Sequence, residues 1–213
     1  MKTWHCNPLR ASARTLALGL VVVPAVASAA LLAGPGAAAT VGATLTPPPP
    51  DWYTCRGTGS GTVCHGSMSF QHLAGVDGSC PQGFDILENG HDNETGARYY
   101  DRDGNLVRRV LHDNYPVGDP LNVLYNSVTG TSIAYRTDLT ESDSFAVPGD
   151  FGSITSRFTG NLYSVTTPGG GALVHDSGML TFSSEGDVLV DHGPKMLFDG
   201  DTAALCAALA DGT

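Results

Sequence analysis

The sequence predicts a mainly β protein: an antiparallel barrel or sandwich of roughly eight or nine strands with one short C-terminal helix. Three observations carry that expectation. From Phe84 onward, short β-branched or aromatic runs alternate with Gly-containing turn clusters. Helical periodicity occurs only near the C-terminus. Cys55, Cys64, Cys80 and Cys206 span the whole body, an even set of the kind that staples exported β domains.

The runs are Phe84–Asn89, Ala97–Asp101, Leu106–Tyr115, Leu121–Asn126, Ser132–Leu139, Ser144–Val147, Ser153–Val165, Ala172–Ser184 and Val188–His192. Asp103-Gly104, Thr129-Gly130, Pro148-Gly149, Pro168–Gly171 and Glu185-Gly186 punctuate them as turns. Leu121, Val123 and Tyr125 alternate with Asn122 and Asn126, which assigns the two sets to opposite faces. Ile133, Tyr135 and Leu139 alternate in the same way with Arg136 and Asp138. Leu106–Tyr115 breaks the pattern, so that strand is either buried on both sides or bulged. Asp201 can cap a helix over Thr202–Ala210, where Leu205, Cys206 and Leu209 share one face. At about ten residues this helix needs tertiary support to form.

The N-terminus reads as an address. Met1–Arg14 carries Lys2, Arg10 and Arg14 without an acid, Leu16–Val23 is apolar, and Pro24 precedes Val26-Ala27-Ser28-Ala29. That order is a secretory signal at residues 1–29, with a second cleavage motif ending at Ala39. Retained instead, the uncharged stretch Thr15–Ala33 is long enough to span a bilayer. Pro24 and the small-residue motifs favour removal. Residues 30–51 form an Ala/Pro-rich linker ending in Pro47–Pro50, and the folded part is expected to start near Trp52. A disulfide-stapled, Gly-rich hairpin segment (52–79) then precedes the β body with its terminal helix (80–213).

Cys6 leaves with the signal. Cys55 and Cys64 flank the Gly57/Gly59/Gly61 turn and pair as a local staple, which leaves Cys80 to bridge to Cys206. A four-cysteine zinc site is the rival reading, but no C-x-x-C knuckle is present and an oxidising compartment favours bridges. The expected destination is extracellular.

Charge narrows the partners. The chain has 213 residues, with 11 Lys+Arg against 21 Asp+Glu, for a net charge of −10. Removing 1–29 leaves 184 residues and takes away three cations and no acid, so the balance falls to −13. That excludes nucleic acid, whose phosphates need a basic face, and electrostatic docking on anionic lipid.

Each chemical motif meets a plainer competitor. Gly57-x-Gly59-x-Gly61 has Thr62 where a dinucleotide loop needs its third Gly, so it is a turn. Asp101, Asp103 and Asn105 alternate as in a weak calcium loop, yet Gly104 comes fourth and His112 twelfth, which suits a hairpin turn. His91-Asp92, His112-Asp113, His175-Asp176 and Asp191-His192 would each split across a strand, so neighbours cannot act as dyads. His112, His175 and His192 can form a metal site only by convergence from three strands. No G-x-S-x-G elbow occurs, and Ser177 beside His175 is no triad by sequence alone. No cofactor or resident metal is expected, and the sequence nominates no catalytic set.

Some longer motifs occur together: Cys-Arg-Gly-Thr-Gly-Ser-Gly-Thr-x-Cys at 55–64, Arg-Tyr-Tyr-Asp-Arg-Asp-Gly-Asn-Leu-Val-Arg-Arg at 98–109, and Leu-Cys-Ala-Ala-Leu at 205–209. With the signal and Cys80, their order resembles a group of uncharacterised exported actinobacterial proteins over nearly the whole mature chain. The resemblance implies export and brings no established activity. Tyr100-Asp101-x-x-Gly104-Asn105 also resembles one unit of a YD repeat, but a single copy without its array reads as a hairpin.

The expected function is non-catalytic binding outside the cell, of a small apolar ligand or a cell-envelope component. The alternatives are a small barrel-type enzyme and a structural surface protein. Binding of an apolar ligand predicts an apolar cavity, an enzyme predicts convergent titratable groups, and a structural role predicts a filled interior.

Overall fold

The computed structural model describes residues 44–167, 171–197, 199 and 202–211. The expected signal at 1–29, most of the linker and the Asp201 cap lie outside the described residues. The chain divides after Ala38, and every strand and the helix belong to the second unit, Ala39–Thr213.

The mainly β expectation holds. Nine antiparallel strands make one sheet: β1 (Tyr53–Thr58), β2 (Gly61–Ser79), β3 (Asp85–Tyr100), β4 (Leu106–Tyr115), β5 (Val123–Asn126), β6 (Ser132–Phe145), β7 (Ile154–Thr166), β8 (Ala172–Phe182) and β9 (Val188–His192). A single helix, α1 (Ala203–Asp211), follows among the described residues. Neighbours run β1-β2-β3-β4-β6-β7-β8-β9, and β5 pairs with both β3 and β6. β4 meets β3 from Asn93 to Tyr100, whereas β5 meets it from Ile86 to Asn89. The two short strands therefore occupy one lane in succession. Among the described residues no helix is long and apolar enough to cross a membrane.

The main departure from the sequence reading is strand length. Phe84–Asn89 and Ala97–Asp101 fall largely in one strand, β3, and Ser132–Leu139 continues through Thr140–Asp143 to Phe145. The joining stretches are polar and Gly-containing, which resembles loop composition. Asn93–Gly96 and Thr140–Asp143 are nevertheless paired on both sides, and Gly90–Asp92 are held by β2. The irregular strand Leu106–Tyr115 is bulged: the register slips opposite Tyr99/Tyr100, which brings both Leu106 and Leu111 onto the buried face.

β5 keeps the alternation, and its amide face is the inward one. Asn122, Leu124 and Asn126 are the buried set, at 1%, 0% and 2% exposure, and Leu121, Val123 and Tyr125 are partly exposed. Both amides are employed. Asn122 accepts from His91 N and donates to Pro116 O, while Asn126 accepts from Val128 N and Thr129 N and donates to Leu209 O. Buried Asn is tolerated where its side chain closes loops that would otherwise leave backbone groups unpaired.

Two apolar clusters fill opposite ends of the buried face. One joins Ile86, Leu124, Ile133, Val165 and Val174 to Leu205, Cys206 and Leu209 of α1. The other holds Tyr53, Cys64, Tyr100, Leu106 and Phe145, with Leu45 and Trp52 packed against it. Leu45 belongs to the expected linker. Thr46 N donates to Gly104 O, and Tyr100 Oη donates to Pro47 O, so packed structure begins upstream of Trp52.

Both disulfides form with the expected partners. Cys55 and Cys64 are directly opposed across β1–β2, with Cα atoms 3.9 Å apart. Cys80 and Cys206 tie the β2–β3 connection to α1.

Candidate functional site

Strand register decides which side chains share a face. Inward residues on β3 run Ile86, Glu88, Gly90, Asp92, Glu94, Gly96, Arg98 and Tyr100, because Ile86 and Tyr100 anchor the two clusters and side chains alternate. Across β4 the partners of Glu94, Gly96 and Arg98 are Asp113, Leu111 and Arg109. On β6 the partners of Arg109 and Leu111 are Asp143 and Glu141. Between its two apolar ends, the inner face is thus a band of ionisable groups.

The sheet curls around this band. A methyl group placed on Gly90 would collide with Cε1 of His72 and lie 2.7 Å from Oη of Tyr135. His72 comes from β2 and Tyr135 from β6, three lanes apart and so roughly 14 Å in a flat sheet. Their side chains nevertheless meet over the same glycine. Register slips in β2 between His72 and Gly75 and between Val76 and Gly78 bend that strand, and Ala74 takes a left-handed φ of 57° there. Asn89 Oδ1 accepts from Ala74 N and holds the bend.

Three carboxylates of the band, Asp92, Glu94 and Asp113, have oxygens within 4.8 Å of one another. Like charges directly opposed across strands repel. Burial, then the charges of Asp92 and Glu94, push the Asp113 carboxyl up to about 7. Burial also raises Asp92 and Glu94, in Asp92 against a hydrogen bond from Asn114 N. Farther along, Arg109 Nη2 reaches Glu141 Oε1 at 2.6 Å and Arg109 Nε reaches Asp143 Oδ2 at 2.5 Å. Arg109 keeps its charge, since its burial is outweighed by the two carboxylates. One guanidinium cannot offset two buried acids, and burial raises the Glu141 carboxyl despite Arg109.

These shifts set a pH dependence. A carboxyl whose native pKa lies above its ordinary 3.8 binds its proton more tightly in the folded state. The stability it contributes is present in acid and is lost as pH rises towards 7. Stability is expected to fall by about 4 kcal/mol between pH 4 and 8 through Asp113, roughly three pKa units at about 1.4 kcal/mol each. Thermal melts of Asp113→Asn should show a flatter profile and a higher Tm at pH 8. An unchanged slope would contradict the assignment.

At the opposite end of the band the groups are aromatic. Tyr135 and Tyr163 stack at 4.8 Å with planes 6° apart, Tyr115 lies 5.8 Å from Tyr135, and its ring meets His72 edge-on at 6.0 Å. His72 Nε2 stands 3.6 Å from Glu88 Oε1, a pairing that raises the His72 pKa. Burial raises all three phenols, with Glu88 contributing at each, so they stay protonated. Glu88 is near enough to act on Tyr135, yet among the described residues the hydroxyls of Tyr135 and Tyr163 have no hydrogen-bond partner.

The motifs singled out in the sequence resolve differently. Asp101 Oδ1 accepts from Asp103 N and Asn105 N, which is hairpin-turn geometry. The His–Asp neighbours split as expected: Asp92, Asp113 and Asp176 turn inward, while His91 pairs outside with Asp119 at 2.6 Å and His112 with Asp138 at 3.6 Å. His112 on β4 and His175 on β8 are three lanes apart on the outer face, so they do not converge. Asp176 accepts from Leu197 N, and buried Lys195 donates to Ser177 O and His192 O, which fastens the β8–β9 end. Two shallow depressions open on the outer face, one around His65, Thr95 and His112 and one around Arg108, Ser144 and Arg157, the second also bordered by Asp143.

Sequence reasoning missed Glu88, Glu94, Glu141 and the tyrosines. A signal was present: acids two residues apart at 92 and 94 and at 141 and 143 occupy one strand face. It could be read only after those stretches were known to be strand. Compared with known proteins, the chain matches no family model, and no curated protein or solved structure matches it at a significant level.

Proposed function

We propose that this is an exported, non-catalytic binding protein that takes a cationic small ligand on the inner face of its sheet. One observation carries the reading: Glu88, Asp92, Glu94, Asp113, Glu141 and Asp143 face inward with Arg98 and Arg109. Carboxyls thus outnumber guanidinium groups in partly desolvated surroundings, and a bound cation would favour their ionised forms. The same band argues for a cationic ligand over the apolar one that composition alone suggests. Export is supported by the N-terminal charge and hydropathy pattern and by two disulfides, which suit an oxidising compartment.

The test is a thermal-shift series at pH 8 and matched ionic strength, with spermidine, magnesium chloride, citrate and palmitate. Cations are expected to raise Tm in proportion to ln(1 + [L]/Kd), and Glu94→Gln with Asp113→Asn should reduce the rise. Stabilisation by palmitate alone would overturn the reading. An enzyme reading draws on Asp113, whose pKa of about 7 beside other acids suits proton transfer. Conversion of the bound ligand to product would favour that alternative.

A further inference from the structure

We propose that the outer-face depression between Arg108 and Arg157 binds the phosphoryl group of a small soluble phosphomonoester, at a site separate from the inner band and independent of it. The sheet sorts its charges. On β4, β6, β7 and β8 the acids Asp113, Glu141, Asp143 and Asp176 point inward, while the outward positions hold Arg108, Arg136 and Arg157 with one acid, Asp138. Asp138 already faces His112 at 3.6 Å. A chain with a net charge of −10 thus presents cations on its outer face. Local charge, more than the total, decides what a surface depression attracts.

The depression is built for an anion. Register places Ser144 between Arg108 on β4 and Thr155 on β7, and Ser142 between Val110 and Arg157, with Thr181 beyond Arg157 on β8. Hydroxyls therefore line the floor, and the two arginines border it from either side of β6. Their Cα atoms are roughly 12 Å apart in a flat sheet of that register, a span that two arginine side chains close around one small anion. The depression measures about 380 Å³, within the roughly 300–1,000 Å³ of small-ligand sites. Both arginines are exposed, and neither they nor the four hydroxyls make a side-chain hydrogen bond or ion pair among the described residues. Arg108 Cζ lies 5.4 Å from the Tyr99 ring centre, a contact that leaves its N–H groups free to donate. Asp143 borders the depression too, but its carboxylate is buried and turned to Arg109 on the inner face.

A guanidinium fork matches carboxylate and phosphate alike. Two forks and four hydroxyls exceed what the two oxygens of a carboxylate can accept. A phosphoryl group brings three terminal oxygens and nearly two negative charges at neutral pH. A polyanion or an anionic bilayer would also meet the negative remainder of the chain, so the ligand is small and soluble.

The experiment is an NMR titration of the 15N-labelled protein, produced by an exporting host, with sodium phosphate and in parallel with sodium acetate at matched ionic strength. Phosphate is expected to shift the amides of Ser142, Ser144, Thr155 and Thr181 and to saturate at about a tenth of the acetate concentration, the worth of one further charge-assisted hydrogen bond. Arg108→Gln/Arg157→Gln removes two exposed cations and no internal pair, so it should keep its fold and lose the saturable response. Arg108→Lys/Arg157→Lys keeps the charge without the forks and should bind about tenfold more weakly than the wild type. No shift at these amides, equal responses to phosphate and acetate, shifts that spread without saturating, or undiminished binding in either variant would overturn the site. Vesicles containing phosphatidic acid present the same group on a bilayer and should leave the protein in solution. Sedimentation with them would overturn the small soluble ligand.

Discussion

Arg109→Ala is expected to destabilise the protein by about 3 kcal/mol, because it strands two buried acids on one strand face. Arg109 holds Glu141 and Asp143 at 2.6 and 2.5 Å, and the Asp143 side chain is fully buried. Asp143 already has one oxygen, Oδ1, without a partner among the described residues. Losing the guanidinium removes the partner of the other. The loss is of a counter-ion and not of bulk, which the companion variant checks. Arg109→Met combined with Glu141→Gln and Asp143→Asn should recover most of the stability, since a triad replaced whole leaves no buried charge. Equilibrium unfolding in urea measures both. A small effect in the single variant would show that Arg109 is not the counter-ion on which the burial of Glu141 and Asp143 depends.

The second large effect is loss of the bridge between Cys80 and Cys206. Its sequence separation of 126 residues closes a long loop, worth about 5 kcal/mol in the chain-entropy view. Cys80→Ser/Cys206→Ser is therefore expected to lower Tm steeply and to release α1 first. The helix has only nine residues and no acid in its first turn, so little intrinsic stability supports it. Leu205 and Leu209 are fully buried against the strands, and their release would expose the apolar end of the sheet. Hydrogen exchange of the α1 amides should rise well before global unfolding. Equal protection with and without the bridge would assign docking to Leu205 and Leu209 alone. The Cys55–Cys64 bridge links adjacent strands nine residues apart, so its removal should cost less.

Much of this protein is legible in its sequence. Both disulfide pairings, the terminal helix and strands such as Leu106–Tyr115 and Val188–His192 follow from patterns local to the chain. A turn needs Gly near where it bends, and a docked helix needs apolar residues at helical spacing, so short windows contain those signals. The candidate site is not legible there, and the same physics explains why. Asp92, Glu94, Glu141 and Asp143 lie in stretches whose polarity argues for loop or surface when taken alone, and Asp113 lies in a strand whose irregular alternation does not reveal its inward face. What places them inside is pairing on both edges and the register that opposes Glu94 to Asp113 and Arg109 to Asp143.

Tyr135, Tyr163 and His72 come from three strands and meet only because the sheet curls over Gly90. Sequence by itself determined the secondary structure class, the covalent staples and the negative charge, since each depends on residue identity and near neighbours. Tertiary structure alone decided where that charge points. A strand's inward face is set by partners tens of residues away, and a one-residue slip in register would turn every one of these side chains to solvent.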